Sequence, residues 1–360
     1  MWPSSKKIRV MVVDDSILAR TLITTGLAKC PQIEVVGTGF NARDALAKIE
    51  QLKPDVMTLD VEMPGMSGID FLKELLPRQP LPVILVSSLD LRVFDALSAG
   101  AVDFVRKPEK GQNDAFIAAL TQKVQEAAGA HVRRGCATVS PPPAARTGSP
   151  IVAATPLPPI PLLGKKPALD QVIIGLGAST GGTEATLEVL KRLPADIPAM
   201  LIVQHMPPGF TQMYAERLNR LCQMEVREAK HGDEVRRGLA LLAPADYQMR
   251  IVRSGSRYTV SCIQGGEKVS GHRPSVDALF FSMAEQVRCK MAGIIMTGMG
   301  RDGADGLLQM RKAGAFTIGQ DKESCVVYGM PMVAYNIGAV QIQASCENIA
   351  SVLIRQLNQM

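Results

Sequence analysis

Ser179 stands in Gly177-Ala-Ser179-Thr-Gly181, directly after an apolar run and ahead of a helical pattern. Gly-x-Ser-x-Gly in that context is a sharp strand-to-helix turn that exposes a serine hydroxyl beside backbone N–H groups, as acyl transfer requires. Such a hydroxyl needs a general base, and histidine has the pKa for the task. The same half of the chain offers three: His205, His231 and His272. His205 closes the apolar run 199–204, the next strand after the one that carries Ser179, so both emerge at one sheet edge. His231 lies in the turn sequence Lys230-His-Gly-Asp233 and reads as solvated, and His272, ahead of a helix in Gly271-His-Arg-Pro-Ser-Val-Asp277, reads as lining a substrate groove. A base of this kind is oriented by a carboxylate. Asp302 fits, because Thr297-Gly-Met-Gly-Arg-Asp302-Gly303 leaves a strand through glycines that let backbone approach a reacting group. Its rival Asp305 is better explained as a first-turn acid facing the helix dipole. The order Ser, His, Asp departs from the Ser, Asp, His order of α/β-hydrolases, so the motif does not imply that fold. Nor is this a dinucleotide site. The stretch nearly spells Gly-x-Gly-x-x-Gly, but Thr180 fills the last place, and the acid about 20 residues on, Asp196, precedes the next strand instead of following it.

A second set of reactive groups lies in the first third of the chain. Asp14 and Asp15 follow the apolar run 8–13, Asp60 follows 56–59, Ser87 closes the run that starts at 83, and Lys107-Pro108 follows 101–105. Carboxylates gathered at adjacent strand ends repel one another unless a cation joins them, and hard oxygen ligands suit Mg²⁺. One such carboxylate can accept a phosphoryl group when a metal and a lysine ammonium neutralise the phosphoryl oxygens. Any one of these acids alone would pass for an ordinary solubilising group at a strand end. The whole set does not.

Positioning the two sets takes two folded units. Residues 1–125 alternate five short apolar runs with amphipathic ones, which predicts a parallel sheet wrapped by helices with functional groups at the carboxyl ends of the strands. Ser16 is placed to cap the first helix and Gly100 to end the fourth. Residues 169–360 alternate less regularly, with strands expected near 172–176, 199–204, 226–229, 240–243, 258–262, 293–297 and 316–318, and helices near 183–193, 210–222, 275–289 and 303–312. Between them, 126–168 holds nine of the 24 prolines and no aromatic residue, which reads as a semi-extended linker. The net charge of +6 could suggest nucleic acid, but residues 1–125 are neutral, the linker carries +4 and residues 169–360 carry +2. A phosphate-binding face is therefore not supported. No apolar stretch approaches the roughly 20 residues that cross a bilayer, and charges at Lys6, Lys7, Arg9, Asp14 and Asp15 break the only candidate for a signal peptide. Seven cysteines with no Cys-x-x-Cys pair argue for a reducing cytoplasm.

Asp14-Asp15, the run Asp60-Val-Glu-Met-Pro-Gly-Met-Ser-Gly68, Ser87 and Lys107-Pro108 resemble the receiver domain of bacterial response regulators. The resemblance implies a flavodoxin-like fold of five parallel strands, Asp60 as phosphoryl acceptor, Mg²⁺ on Asp14, Asp15 and Asp60, Lys107 on the phosphoryl group, Ser87 as its sensor and Phe104 as the switch aromatic. Gly-Ala-Ser179-Thr-Gly-Gly, Gln204-His205-Met, His272-Arg-Pro-Ser-Val-Asp277, Thr-Gly298-Met-Gly-Arg-Asp302-Gly and Val327-Tyr-Gly-Met-Pro331 resemble the catalytic domain of the chemotaxis protein-glutamate methylesterases. Here the resemblance implies a second doubly wound α/β unit with a mainly parallel sheet, and a triad of Ser179, His205 and Asp302. Backbone N–H groups of Thr180 and Met299 would form the oxyanion hole, and the esterase reaction would need no cofactor. Arg301 departs from the family, where asparagine is more usual. The implied substrates are glutamate methyl esters and glutamines of membrane-bound methyl-accepting chemoreceptors, and the implied phosphodonor is a chemotaxis histidine kinase. Nothing in the sequence requires more than a monomer. A response regulator whose output is binding alone is the competing class. It would be expected to have lost Ser179, His205 or Asp302, and all three are present. A receptor array serving development instead of motility would leave the same sequence.

Overall fold

Alternating apolar and amphipathic runs fold the N-terminal unit as β1 (Ile8–Val13), α1 (Ile17–Leu27), β2 (Ile33–Gly39), α2 (Ala42–Leu52), β3 (Val56–Asp60), α3 (Gly68–Leu75), β4 (Val83–Ser87), α4 (Arg92–Ser98), β5 (Asp103–Arg106) and α5 (Asn113–Ala127). In this computed structural model the described residues are 6–88, 92–132 and 167–360. The strands run in the order β2-β1-β3-β4-β5, every pair parallel. Strand order reverses at β1, so the ends of β1 and β3 open a crevice there. The hydroxyl of Ser16 accepts the Ala19 N–H at 3.3 Å and caps α1, and Gly100 follows α4 at φ +111°, a backbone region glycine enters without strain.

The C-terminal unit starts with a 3₁₀ turn (Pro167–Gln171). It then runs β6 (Val172–Ala178), α6 (Gly182–Leu190), β7 (Ala199–Gln204), α7 (Phe210–Leu221), β8 (Glu225–Glu228), β9 (Leu239–Leu242), β10 (Tyr247–Ser254), β11 (Arg257–Gln264), α8 (Val276–Gln286), β12 (Lys290–Ile295), α9 (Ala304–Lys312), β13 (Phe316–Gln320), α10 (Met330–Asn336), β14 (Ile342–Ala344) and α11 (Cys346–Gln359). Seven strands form one parallel sheet in the order β14-β13-β12-β6-β7-β9-β8, and β10 and β11 pair apart as an antiparallel hairpin. The central triplet β12-β6-β7 is the part that matters for chemistry, since Asp302, Ser179 and His205 all follow its carboxyl ends. Close packing of α8 on β6 explains two of its glycines. A Cβ on Gly177 would lie 2.2 Å from Val276 Cγ1, and one on Gly175 2.8 Å from Met283 Sδ.

The structure corrects the sequence reading in several places. Helix α5 continues through Ala127, so Glu126, taken above as the first linker residue, belongs to the last helix of the N-terminal unit. Segment 133–166, the bulk of the expected linker, lies outside the described residues. Strands β10 and β14 and helices α10 and α11 were not anticipated. β14 has three residues and α10 opens on Met330-Pro331. In α11 the signal was present: Ile349, Ala350, Leu353, Ile354 and Leu357 form a helical-period stripe that is buried.

The two units touch through α4, β5 and α5 on one side and α6 and α7 on the other. Phe94 stacks on Tyr214 with ring centroids 5.6 Å apart, and Phe104 tilts against Phe210 at 4.5 Å. Arg217 reaches from α7 to Ser98 Oγ at 2.6 Å while pairing with Glu184 at 2.9 Å. No helix among the described residues is long and apolar enough to cross a membrane.

Candidate active site

Strand β6 delivers Ser179, whose N–H donates to Thr297 C=O at 2.9 Å and whose C=O accepts from Gly182 N–H at 2.7 Å. Gly181, at φ +75°, lets the chain turn straight into α6. Gly298 matters for a different reason: a Cβ there would lie 2.6 Å from Ser179 Cβ and 2.4 Å from Met330 Sδ. Only glycine allows the loop after β12 to pass this close to the serine.

His205, directly after β7, hydrogen-bonds through Nε2 to Asp302 Oδ2 at 2.8 Å. Its Nδ1 is buried and has no hydrogen-bond partner among the described residues. With the proton held on Nε2 by the carboxylate, Nδ1 is left as the lone-pair nitrogen, able to take a proton from a nearby hydroxyl. Ser179 and His205 line the same cleft of about 470 Å³.

Asp302 is seated on the N-terminus of α8. It accepts from Ser275 Oγ at 2.8 Å, from Val276 N–H at 2.8 Å and from Asp277 N–H at 3.0 Å, besides His205. Burial alone would raise its pKa, but the hydrogen bond and charge of His205 and the α8 donors outweigh burial and hold the carboxyl below its ordinary value. The motif Gly271-His-Arg-Pro-Ser-Val-Asp277 thus supplies the cradle for the acid as well as a cleft wall. His272 stacks on His205 with centroids 4.0 Å apart and planes 7° apart, and burial, with His205 alongside, pushes its own pKa down to about 4. His231 is exposed, as expected.

Three neighbours escaped the sequence reading. Gln204, next to His205, donates through Nε2 to the C=O of Ser179 at 2.8 Å and of His205 at 3.1 Å, tying Ser179 and His205 together. Glu126 and Lys123 of α5 both reach Thr180 Oγ1 from the other unit. The adjacency of Gln204 to His205 was visible in the sequence, whereas nothing local marked Glu126. Thr180 is fully buried and Met299 is exposed, and the N–H of neither donates a hydrogen bond within the described residues. Arg301 pairs with Asp305 at 2.7 Å on the exposed rim, which gives Asp305 a partner other than His205.

In the N-terminal unit Lys107 Nζ lies 2.7 Å from Asp60 Oδ2 and 3.2 Å from Asp14 Oδ2. Burial raises the Asp60 carboxyl to about 6, with Lys107 opposing and Asp14 and Asp15 adding to the rise. Ligand oxygens of Asp14, Asp15 and Asp60 lie within 4.8 Å of one another, and among the described residues Asp14 Oδ2 has the Lys107 ion pair and no hydrogen bond. An all-carboxylate set of this spacing fits a hard divalent cation. Ser87 Oγ, at the end of β4, is buried without a hydrogen-bond partner among the described residues, and Phe104 is the ring that meets Phe210 across the interface.

Comparison with known proteins gives a consistent result. The family model described as CheB methylesterase matches residues 174–353, and that of the response regulator receiver domain matches residues 10–120. A protein of Syntrophomonas wolfei named protein-glutamate methylesterase/protein-glutamine glutaminase 2 is 48% identical over 99% of this chain and 99% of its own length. One of Syntrophotalea carbinolica named protein-glutamate methylesterase/protein-glutamine glutaminase is 45% identical over 98% and 99%. The crystal structure of the Thermotoga maritima CheB methylesterase catalytic domain is 34% identical, with a TM-score of 0.50, and covers 51% of this chain and 97% of that one.

Proposed function

We propose, since this chain belongs to the CheB methylesterase family, that Ser179 is its nucleophile, His205 the general base and Asp302 the carboxylate that orients the base. The protein is a phosphorylation-regulated hydrolase of bacterial chemotaxis signalling, a protein-glutamate methylesterase and protein-glutamine glutaminase with an N-terminal receiver domain. The observation that carries the residue assignment is the 2.8 Å bond between His205 and Asp302 beside Ser179 at the ends of three adjacent strands.

Ser179 Oγ would attack the γ-carbonyl carbon of a glutamate methyl ester while His205 Nδ1 takes its proton. Backbone N–H groups of Thr180 and Met299 would hold the oxyanion, each such donor being worth roughly 10²–10³ in rate. Collapse expels methanol, protonated by His205, and leaves an acyl-serine. Water, deprotonated by the same nitrogen, then releases glutamate. A glutamine side chain presents the same carbonyl with ammonia as leaving group. Substrate groups lie on chemoreceptors of the methyl-accepting class in this reading. His272 keeps the plane of His205, and its neutral ring faces the imidazolium that forms in each step. Replacing it by alanine should lower kcat several-fold at little change in KM, since an aromatic pair contributes about 0.5–1.5 kcal/mol. Phenylalanine should restore most of the loss.

In the receiver domain Asp60 would accept the phosphoryl group from a chemotaxis histidine kinase, with the ammonium of Lys107 on the phosphoryl oxygens and Ser87 Oγ as the hydroxyl that moves to meet them. Asp14, Asp15 and Asp60 would hold Mg²⁺, which when bound supplies charge neutralisation at the phosphoryl oxygens. From Ser87 at the end of β4 the signal has a short way to travel: Phe104 on the neighbouring strand β5 packs on Phe210 of the catalytic domain.

Methanol release from receptor membranes carrying labelled methyl esters tests the whole reading. The full chain should release methanol, faster with acetyl phosphate and Mg²⁺ present. Asp60→Asn should keep the unstimulated rate and lose the response to phosphodonor. No methanol from the stimulated wild-type chain would overturn the assignment.

A further inference from the structure

The N–H groups of Thr180 and Met299 can hold an oxyanion only if both point into the cleft. In a planar trans peptide the C=O and N–H run in opposite directions, so a carbonyl that is held aims the N–H of the same peptide. Thr180 N–H shares its peptide with Ser179 C=O, which accepts from Gly182 N–H at 2.7 Å and from Gln204 Nε2 at 2.8 Å. Met299 N–H shares its peptide with Gly298 C=O, which accepts from Met330 N–H at 2.8 Å and from Gly329 N–H at 3.1 Å. Each carbonyl is thus held twice. The one beside Met299 is held by main chain alone, whereas the one beside Thr180 depends in part on a side chain.

That side chain, Gln204, is buried at the end of β7. Its Nε2 also donates to His205 C=O at 3.1 Å, while its Oε1 is buried with no hydrogen-bond partner among the described residues. Packing alone does not call for a glutamine here, since methionine would fill a similar length without an orphaned amide oxygen. Room has nevertheless been made for the amide. Gly182 opens the regular first turn of α6, where glycine is not required by the backbone, and a Cβ there would lie 2.3 Å from Gln204 Oε1. We propose, resting on the active-site reading above, that Gln204 is a positioning residue for the oxyanion hole: by holding Ser179 C=O it keeps the 179–180 peptide from turning its N–H out of the cleft. Its amide bonds two carbonyls and none of the reacting atoms. The tetrahedral adducts of acylation and deacylation carry their charge on the same oxygen, so a turned peptide slows both steps and leaves ground-state binding of the substrate unchanged.

Methanol release from methyl-labelled receptor membranes by the full chain, with acetyl phosphate and Mg²⁺ present, tests this role. Gln204→Met keeps the length of the side chain and removes both donors, and Gln204→Asn keeps the amide but withdraws it by one methylene. Each should lower kcat about ten- to a hundredfold, less than the loss of a whole oxyanion donor because Gly182 N–H still holds the carbonyl. KM should stay within about twofold of wild type. The acid limb of the pH profile of kcat/KM, which reports the base of the free enzyme, should not move, because His205 keeps its bond to Asp302. A merely structural role would instead raise KM or shift that limb as the ends of β6 and β7 part. A loss confined to kcat in either variant supports the proposal. Unchanged kcat in both variants would overturn it, as would a kcat loss accompanied by a shifted acid limb. A wild-type chain that releases no methanol would count against the active-site reading itself.

Discussion

Alanine at position 179 is expected to lower methanol release by about 10⁴-fold or more while the fold stays intact. The change removes the proposed nucleophile and leaves the Thr180 and Met299 N–H groups, His205 and the cleft in place, so only the residual catalysis of binding and oxyanion stabilisation should survive. Stability should move by no more than about 0.5 kcal/mol. Ser179 is held by its backbone, through Thr297, Gly182 and Gln204, and its hydroxyl makes no hydrogen bond among the described residues. Stimulated methanol release and the urea midpoint, measured on the same preparation, check both halves. A Ser179→Ala chain retaining a tenth of the activity would remove the serine from the mechanism.

Asp302→Asn should also cost about 10⁴-fold in kcat, but with a second consequence that Ser179→Ala lacks. Asp302 accepts four hydrogen bonds in a fully buried position. An asparagine amide has one acceptor oxygen and would turn its NH₂ group toward donors of α8 or His205, leaving at least one of them unpaired. The expected loss is about 1–3 kcal/mol of stability at neutral pH. Its pH dependence has a definite sign. A carboxyl held below its ordinary pKa contributes stability that is complete above the ordinary carboxylate range and is lost as the pH falls through the lowered value. The gap between wild type and Asp302→Asn should therefore be constant from neutral pH down to about pH 5 and close in stronger acid, as read from urea midpoints across that range. An Asp302→Asn chain as stable as wild type at neutral pH would show that α8 does not depend on this carboxylate.

Strand ends and turn chemistry are local properties, and the sequence carried them openly. Short apolar runs followed by Asp, Ser or Lys placed Asp14, Asp60, Ser87 and Lys107 on one rim, and Gly-x-Ser-x-Gly after such a run placed Ser179 on another. The convergence of Ser179, His205 and Asp302 was legible for the same reason. Each member follows its own strand within a few residues, and parallel strands bring those ends together whatever the loops do. Local signals failed at short or atypical elements such as β14 and α10, and at the far end of α5, where residues 126–127 still continue the helix before the proline-rich segment.

Contacts between distant backbone and side-chain groups leave no such mark. Three donors on Asp302 come from the start of α8, about 25 residues upstream, and two are main-chain N–H groups that any residue could supply. The stacking of His272 on His205 depends on how the turn ahead of α8 crosses the end of β7. The contact of Glu126 with Thr180 spans two separately folded units, and its strength comes from burial that only their docking creates. The sequence by itself determined which groups can react and at which strand ends they stand, because hydrophobic period and turn chemistry act over a few residues. Tertiary structure alone decided how His205 is oriented, how Asp302 is kept charged and what now covers Ser179, because desolvation and hydrogen-bond geometry exist only once the elements are packed.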